Sequence, residues 1–220
     1  VRDWSSDVCS SDLINNLEIL KSVGDKSGAK VLCALKGFAF SLAMPYVDKY
    51  LWGATCSGLH EAKFAKEFIK NGEIHTYSPA FKDEDFDEIM QISNHIVFNS
   101  PNQISKFKQI ALDKGIECGL RINPESSFSP KDIYNPCAKF SRLGTTKANL
   151  LKALKEDKSL LDGISGLHFH ALCEESSQSL KKVLDKFKAD FGEFIHGVKW
   201  VNFGGGHHIT KKGYDIKLLI

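Results

Sequence analysis

The feature that most constrains this fold is the regular alternation of short apolar segments with longer amphipathic ones from residue 14 to residue 203. The apolar segments predict seven strands, at 30–35, 52–56, 73–77, 95–99, 118–123, 163–170 and 198–203. Helical spacing between them predicts helices at 14–24, 37–51, 59–69, 83–92, 101–114, 147–156 and 178–191. A strand that is followed each time by a helix favours a parallel sheet with its helices outside, an α/β fold.

Seven regular units favour an eight-stranded (β/α)8 TIM-type barrel over an open doubly wound sheet, which is the alternative. An eighth unit is not evident, and the sequence stops at Ile220 without a helix-capping signal. We therefore expect residues 14–220 to be a partial barrel domain of about seven β/α units in a fragment of a longer protein.

The first 13 residues (VRDWSSDVCSSDL) differ from the rest of the chain. They repeat Ser-Ser-Asp and show no apolar periodicity. We predict that residues 1–13 are a non-native or disordered segment that lies outside the folded domain.

Composition excludes several classes of function. The formal net charge of +2 gives no reason to expect binding to nucleic acid or to an acidic membrane surface. No apolar run reaches the length of a membrane span, and the first residues lack the pattern of a secretory signal. The six cysteines are scattered without C-x-x-C spacing, which favours reduced thiols in a cytoplasmic protein and no structural zinc site.

Polar residues gather at the carboxyl ends of the predicted strands, where β/α barrels place their working groups. We call the loops after these ends the carboxyl rim. The polar residues there are Lys36, Glu61, Tyr77, Asn99, Arg121, Asn123, His168, His170, Cys173, Glu174, His207 and His208.

Two of these features have a chemical and a plainer interpretation. Lys36 directly follows a predicted buried strand, and a lysine with a depressed pKa suits imine formation, although a surface lysine fits the same position. Gly204, Gly205 and Gly206, the triple-glycine loop, follow the last strand. Consecutive glycines let backbone N–H groups approach a phosphate, although a flexible turn has the same sequence.

His168 and His170 lie two residues apart on a predicted strand and are therefore expected on one face. They could bind a metal together with Glu61, His207 or His208, or one of them could stack on a ligand ring. Arg121 ends an apolar strand, where an arginine usually pairs with an anion. Arg142 fits a solvated loop residue or a substrate contact equally well.

Taken together, these residues resemble the fold-type III pyridoxal phosphate decarboxylases, which include ornithine and diaminopimelate decarboxylases. Within that family the sequence is most similar to the branch that acts on carboxylated polyamines. The matching strings are at 34–38 (ALKGF), 56–62 (CSGLHEA), 76–80 (TYSPA), 120–125 (LRINPE), 134–144 (YNPCAKFSRLG), 163–174 (GISGLHFHALCE) and 200–210 (WVNFGGGHHIT). The resemblance implies a barrel of the alanine racemase/ornithine decarboxylase kind.

The resemblance also implies roles for the cofactor-binding residues. Lys36 would form a Schiff base with pyridoxal 5'-phosphate, with Arg121 near that linkage. His170 would stack on the pyridine ring and Glu61 would orient that ring. The triple-glycine loop would bind the phosphate.

The resemblance also implies roles for three further residues. Cys173 replaces a phosphate-contacting serine, and a thiol is a poorer donor there. Arg142 replaces a lysine and would have a structural or carboxylate-binding role. His207 would lie near the substrate.

The implied reaction is decarboxylation of a polyamine carboxylate, a step of polyamine biosynthesis, in a cytoplasmic homodimer. In the family, the carboxylate that pairs with the pyridine nitrogen, a C-terminal β-domain and a partner subunit complete the site. A protein of this length alone is therefore expected to be inactive. The alternatives within the family are a diaminopimelate or ornithine decarboxylase and a non-decarboxylating or racemase-like pyridoxal phosphate protein. The alternatives of other classes are a metal-dependent barrel hydrolase and a non-catalytic interaction domain.

Overall fold

The computed structural model describes residues 10–128 and 132–220, and it contains a single parallel sheet. The strands are β1 (Leu32–Ala34), β2 (Gly53–Cys56), β3 (Glu73–Tyr77), β4 (His95–Phe98), β5 (Glu117–Arg121), β6 (Ile164–His168) and β7 (Trp200–Asn202). Each strand pairs in parallel with the next one along the chain. The sheet curls into a partial barrel of seven strands, which confirms the predicted fold class.

Helices separate the strands. They are α1 (Ser10–Ser27), α2 (Met44–Tyr50), α3 (Leu59–Phe68), α4 (Asp83–Ile92), α5 (Pro101–Asp113), α6 (Lys147–Glu156), α7 (Ser177–Ile195) and α8 (Ile216–Leu219), with 3-10 turns at Ser41–Ala43 and Asp132–Tyr134. None of the described helices has the length and apolar character needed to cross a membrane.

The amino-terminal helix begins earlier than the sequence predicts. Residues 10–13, which the sequence pattern separates from the fold, form the first turn of α1, and Leu13 packs against a buried apolar cluster. The rest of the separated segment, residues 1–9, lies outside the described residues. Its non-native origin stays a prediction.

Local signals fix several helix starts. Ser100, Thr146 and Ser176 each accept a hydrogen bond from a backbone N–H of the following first turn. Such side-chain caps satisfy N–H groups that have no partner within the helix. Three acidic residues occupy the first turn of α4, where the helix dipole favours negative charge.

The two faces of the sheet differ in chemistry. Side chains that point outward pack under the helices and form the apolar core, including Ile96, Phe98, Leu120 and Leu167. The alternate positions point into the barrel and are largely polar. They include Glu73, His75, Tyr77, His95, Asn99, Glu117, Arg121 and His168. The strands are therefore apolar on one face only, and polar groups line the inside of the barrel.

Trp200 fills the inside of the barrel beside two glycines. A Cβ at Gly166 would lie 2.1 Å from the indole ring, and a Cβ at Gly119 would lie 2.4 Å from it. The indole nitrogen donates to Glu117 Oε2 at 2.9 Å. Glycine at these two positions is what makes room for the ring.

Candidate active site at the carboxyl rim

Lys36 lies in the turn that follows β1, where the N–H groups of Gly37 and Phe38 both donate to Ala34 O. Its side chain is exposed, as the plainer of the two sequence interpretations expects. Partial burial of the amine and then the nearby Arg121 guanidinium lower the pKa of Lys36, although Glu61 raises it. The result is an accessible amine that loses its proton more readily than an ordinary lysine.

Arg121 ends β5 and is 5% exposed. The centre of its guanidinium lies 4.7 Å from the centroid of the Tyr77 ring, and its Nη2 donates to His170 O at 3.3 Å. No carboxylate forms an ion pair with it among the described residues. A buried cation without an anionic partner is costly, so this position suits an anionic or electron-rich ligand.

His168 and His170, which were predicted to lie on one strand face, have different surroundings. β6 ends at His168, whose ring meets the Tyr77 ring edge-on with centroids 5.5 Å apart. His170 lies beyond the strand, and its Nδ1 accepts from Gly205 N–H at 3.4 Å. Burial, then the charges of Lys36 and Arg121, lower the pKa of His170 to about 3. Its ring is therefore neutral near pH 7.

The predicted metal alternative at the rim finds no geometric support. His168, His170, His207 and His208 do not form a group of three donors within 4.8 Å of one another in the described part of the chain. Burial also lowers the pKa of His168 well below its usual value. Of these histidines, His168 contacts the Tyr77 ring and His170 contacts the triple-glycine loop at Gly205.

The triple-glycine loop lies directly on the segment after β6. Gly204 and Gly206 have φ of +69° and +90°, a region that favours glycine. A Cβ at Gly204 would lie 2.5 Å from Phe169 O, and one at Gly206 would lie 2.2 Å from Leu172 O. The backbone of the loop therefore packs against the segment after β6 at Gly204 and Gly206, where no side chain would fit.

Not every amide of this loop faces outward. Gly204 N–H donates to Asn202 Oδ1 at 2.7 Å, and Gly205 N–H makes the long contact with His170. Gly206 N–H donates no hydrogen bond within the described residues. The Gly206 N–H is therefore available to bind an anion at this loop. To accept from the Gly205 N–H, an anion would have to replace its contact with His170 Nδ1.

Two further predicted site residues lie near Lys36. Glu61 is in the first turn of α3, where its Oε2 accepts from Ser57 N–H at 2.7 Å. Its charge acts on Lys36, but it has no hydrogen bond to His170 among the described residues. Cys173 follows β6 next to Gly206 and is also close enough to act on Lys36.

The predicted substrate residues are at the edge of this cluster. The Arg142 side chain is exposed, and its backbone carbonyl accepts from Asn99 Nδ2 at 2.9 Å. His207 joins Glu175 in a short parallel bridge, and its buried Nδ1 has no partner in the described part of the structure. Burial lowers the pKa of His207.

Asn99, which the sequence places on the carboxyl rim without a specific role, organises the cluster. Its Oδ1 accepts from Tyr77 Oη and from Gly144 N–H, both at 2.7 Å. Through the Arg142 carbonyl it also holds the loop after β5. In the sequence, Asn99 is recognisable only as a polar residue that directly follows a strand. Its hydrogen-bond partners lie 22 to 45 residues away, so the sequence does not reveal them.

Two non-glycine residues of the rim have positive φ: Glu125 at 50° and Glu174 at 57°. They occupy the loops after β5 and β6 respectively. Ser127 Oγ donates to Ala171 O at 2.7 Å, so the two loops are joined. Backbone strain of this kind often accompanies ligand sites.

Comparisons with known proteins agree with this arrangement. The family model described as alanine racemase, N-terminal domain, matches residues 8–202. Carboxynorspermidine/carboxyspermidine decarboxylase of Campylobacter jejuni is 57% identical over 208 residues, which are 94% of this chain and 52% of that protein. Carboxyaminopropylagmatine decarboxylase of Synechocystis sp. is 38% identical over 209 residues, again 94% of this chain and 52% of the relative.

Solved structures give the same result. The crystal structure of carboxynorspermidine decarboxylase from Campylobacter jejuni, complexed with norspermidine, matches with a TM-score of 0.83 and 54% identity. The match covers 95% of this chain and 52% of that one. Diaminopimelate decarboxylase from Helicobacter pylori, complexed with L-lysine, shares the fold at a TM-score of 0.73 and 15% identity, over 93% and 55% of the two chains. This chain spans about half the length of the curated relatives it matches.

Proposed function

The chain belongs to the alanine racemase N-terminal domain family, and on this premise we propose that it is the cofactor-binding barrel of a pyridoxal-phosphate-dependent decarboxylase. One observation carries the proposal. An amine with a lowered pKa, a buried unpaired cation and a close-packed glycine loop meet on the carboxyl rim. The relatives that the chain resembles over almost its whole length are decarboxylases.

The residues present fit this cofactor. Pyridoxal phosphate combines an aldehyde, an aromatic ring and a phosphate. Lys36 offers the amine, His170 a neutral ring and the triple-glycine loop an approach free of side chains. When bound, the cofactor supplies an electron-withdrawing ring that accepts the electron pair left behind as CO2 departs.

The lowered pKa of Lys36 has a direct use. Only the neutral amine attacks a carbonyl, so a lower pKa increases the reactive fraction at neutral pH. With the cofactor bound, the Lys36 Nζ atom would also be placed to hold or move a proton at the reacting centre. The Lys36 side chain is exposed, so its amine can reach both a carbonyl and the reacting centre.

Arg121 and His170 set the electrostatics around that amine. The Arg121 guanidinium, held between the Tyr77 ring and His170 O, keeps a fixed positive charge beside Lys36. The charge opposes protonation of Lys36 and attracts an anionic ligand. His170 stays neutral, so it can pack on a pyridine ring without adding charge.

We propose carboxynorspermidine or carboxyspermidine as the substrate, with norspermidine or spermidine as the product of a step in polyamine biosynthesis. The support is the 57% identity to the Campylobacter jejuni enzyme and the norspermidine with which that organism's carboxynorspermidine decarboxylase was crystallised. Arg142 and His207 are the candidate substrate contacts. A cytoplasmic homodimer is proposed from the family resemblance and from the five described cysteines, all of them free.

An absorption spectrum tests cofactor attachment. Added pyridoxal phosphate should produce a near-visible band that Lys36→Ala removes. Lys158→Ala, which changes an exposed lysine far from the rim, is the matched control and should keep the band. Persistence of the band in Lys36→Ala would show that another group holds the cofactor.

A product assay then tests the substrate. Carboxynorspermidine, carboxyspermidine, ornithine and diaminopimelate are offered separately to the complete protein that contains this barrel. We expect CO2 release from one or both carboxylated polyamines. Faster turnover of ornithine or diaminopimelate would reject the proposed substrate but keep the cofactor assignment.

A further inference from the structure

Tyr77 is the last residue of β3, and its ring contacts the buried cation of the carboxyl rim. The central carbon of the Arg121 guanidinium lies over this ring, 4.7 Å from the ring centroid. A cation at such a distance is attracted by the negative charge of the aromatic face. Arg121 has no carboxylate partner among the described residues, so the Tyr77 ring and His170 O supply attraction that a carboxylate would otherwise provide.

The Tyr77 ring is itself fixed from two directions. Its Oη donates to Asn99 Oδ1 at 2.7 Å, and the His168 ring meets it edge-on with centroids 5.5 Å apart. Burial raises the pKa of Tyr77 and outweighs the opposing effects of Arg121 and Arg142, so the phenol keeps its proton and can donate. A ring that is held at its hydroxyl and at its edge offers the guanidinium a surface of fixed orientation.

The stem and the end of the Arg121 side chain are confined as well. A Cβ at Gly144 would lie 3.2 Å from Arg121 Cγ, so the loop after β5 passes close to the stem. The N–H of Gly144 donates to Asn99 Oδ1, the same atom that accepts from Tyr77. At the other end, Arg121 Nη2 donates to His170 O at 3.3 Å. These contacts together with the Tyr77 ring fix the place of the guanidinium.

The place of the Arg121 guanidinium matters because its charge acts on the amine of Lys36. Besides partial burial, the groups that act on this amine are Arg121, Glu61 and Cys173. Arg121 opposes protonation of the amine, whereas Glu61 and Cys173 favour it. The interaction between two charges weakens as their distance grows, so a guanidinium that left its place would oppose protonation of Lys36 less.

We propose that Tyr77 is a positioning residue, whose ring holds the Arg121 guanidinium where it favours the reactive, unprotonated form of the Lys36 amine. Tyr77 acts through Arg121, and its own orientation depends on Asn99 and His168. The inference rests on the proposed function, in which Lys36 attacks the aldehyde of pyridoxal phosphate. It adds to that function the side chain that prepares the amine for the attack.

The pH profile of Lys36 acylation tests the proposal in the complete protein that contains this barrel, after treatment with hydroxylamine and dialysis to remove any cofactor. Labelling with limiting acetic anhydride, followed by mass spectrometry of the Lys36 peptide, gives the midpoint pH at which half of this amine is unprotonated. Tyr77→Leu removes the ring and should raise the midpoint by at least about 0.5 pH unit, which is about a threefold loss of neutral amine at pH 7. Tyr77→Phe keeps the ring and should raise the midpoint by less than half as much.

A double mutant separates positioning from general damage to the fold. Arg121→Gln alone should raise the Lys36 midpoint at least as far as Tyr77→Leu does, because it removes the charge altogether. Adding Tyr77→Leu to Arg121→Gln should then give no further rise, since the ring has no guanidinium left to hold. Tyr50→Leu is the matched control, because Tyr50 ends α2 and its ring lies 5.5 Å from the amine of Lys49, a contact of the same kind. This variant should leave the Lys36 midpoint unchanged.

An unchanged midpoint in Tyr77→Leu, or the same rise in the presence and absence of Arg121, overturns the proposal. If Tyr77→Leu does not fold, the other two variants decide. An unchanged midpoint in Arg121→Gln, or a rise in Tyr77→Phe as large as that in Arg121→Gln, refutes the role of the ring. Acylation needs no cofactor, so either result leaves the proposed decarboxylase function intact. Conversely, a protein with the expected midpoints but no near-visible band with pyridoxal phosphate would refute the proposed function alone.

Discussion

Alanine substitutions along the triple-glycine loop separate the requirements of folding from those of ligand binding. At Gly206 a Cβ would lie 2.2 Å from Leu172 O and 2.4 Å from Leu172 C, at a φ of +90°. Left-handed backbone costs alanine about 1–2 kcal/mol, and displacing packed atoms costs about 1–3 kcal/mol more. Gly206→Ala should therefore lower the free energy of unfolding by about 2–5 kcal/mol.

Gly213 provides the matched control. Its φ of +85° is nearly the same, but a Cβ there would meet no atom within 4 Å. Gly213→Ala should cost only the backbone term of about 1–2 kcal/mol. Urea unfolding followed by circular dichroism measures both variants. Equal stability of the two variants would refute the close packing of the loop on the segment after β6.

Gly205 differs from its neighbours. A Cβ there would lie 3.6 Å from His170 Cε1, an ordinary contact, and the residue does not need positive φ. Gly205→Ala should change stability by less than about 1 kcal/mol. The methyl group nevertheless stands where a phosphate would approach, so the Kd for pyridoxal phosphate should rise about tenfold, or about 1.4 kcal/mol. Unchanged affinity in a stable Gly205→Ala protein would remove the loop from the phosphate site.

Four further outcomes are expected. Because its pKa is lowered, Lys36 should react with an amine-acylating reagent at lower pH than the other exposed lysines do, and mass spectrometry of labelled peptides checks this. Asn99→Ala leaves three hydrogen-bonding groups without a partner and should cost about 3 kcal/mol in urea unfolding. Histidine in the unfolded chain protonates near pH 6.5 but His170 only at about 3, so His170 alone should lower stability by up to about 1.4 kcal/mol per pH unit as pH drops from 6 to 4. Other buried histidines act in the same direction, and His170→Gln should reduce the total slope by the His170 share. Gly166→Ala should destabilise by about 1–3 kcal/mol because its Cβ meets the Trp200 ring at 2.1 Å, and Trp200→Leu should suppress that cost in the double mutant.

Periodicity predicted the elements well where local signals were strong. The helices 83–92 and 147–156 and the strand 73–77 have the bounds that the sequence predicts. Acidic residues or a capping threonine mark the two helix starts, and these act within a single turn. Several predicted strands extend beyond the observed ones; residues 163–170 were predicted, but β6 is Ile164–His168. The apolar sequence continues into the rim loop, where the backbone no longer forms regular strand pairing.

The terminal helices show the limits of periodicity. α1 starts at Ser10, within a segment that lacks apolar spacing, because Leu13 finds its apolar partners among other elements. α8 was not predicted, since a helix of four residues gives no periodic signal. Both depend on packing contacts that sequence spacing does not record.

By itself, the sequence determined the parallel β/α class and the placement of Lys36, Arg121 and the triple-glycine loop at strand ends, because strand–helix alternation depends on local periodicity. Tertiary structure alone decided which polar side chains meet. Arg121 lies between Tyr77 and His170, and Glu73 lies against two imidazoles at the other end of the barrel. These contacts follow from the register of neighbouring strands and the curl of the sheet, which join residues 20 to 50 positions apart and leave no periodic trace in the chain.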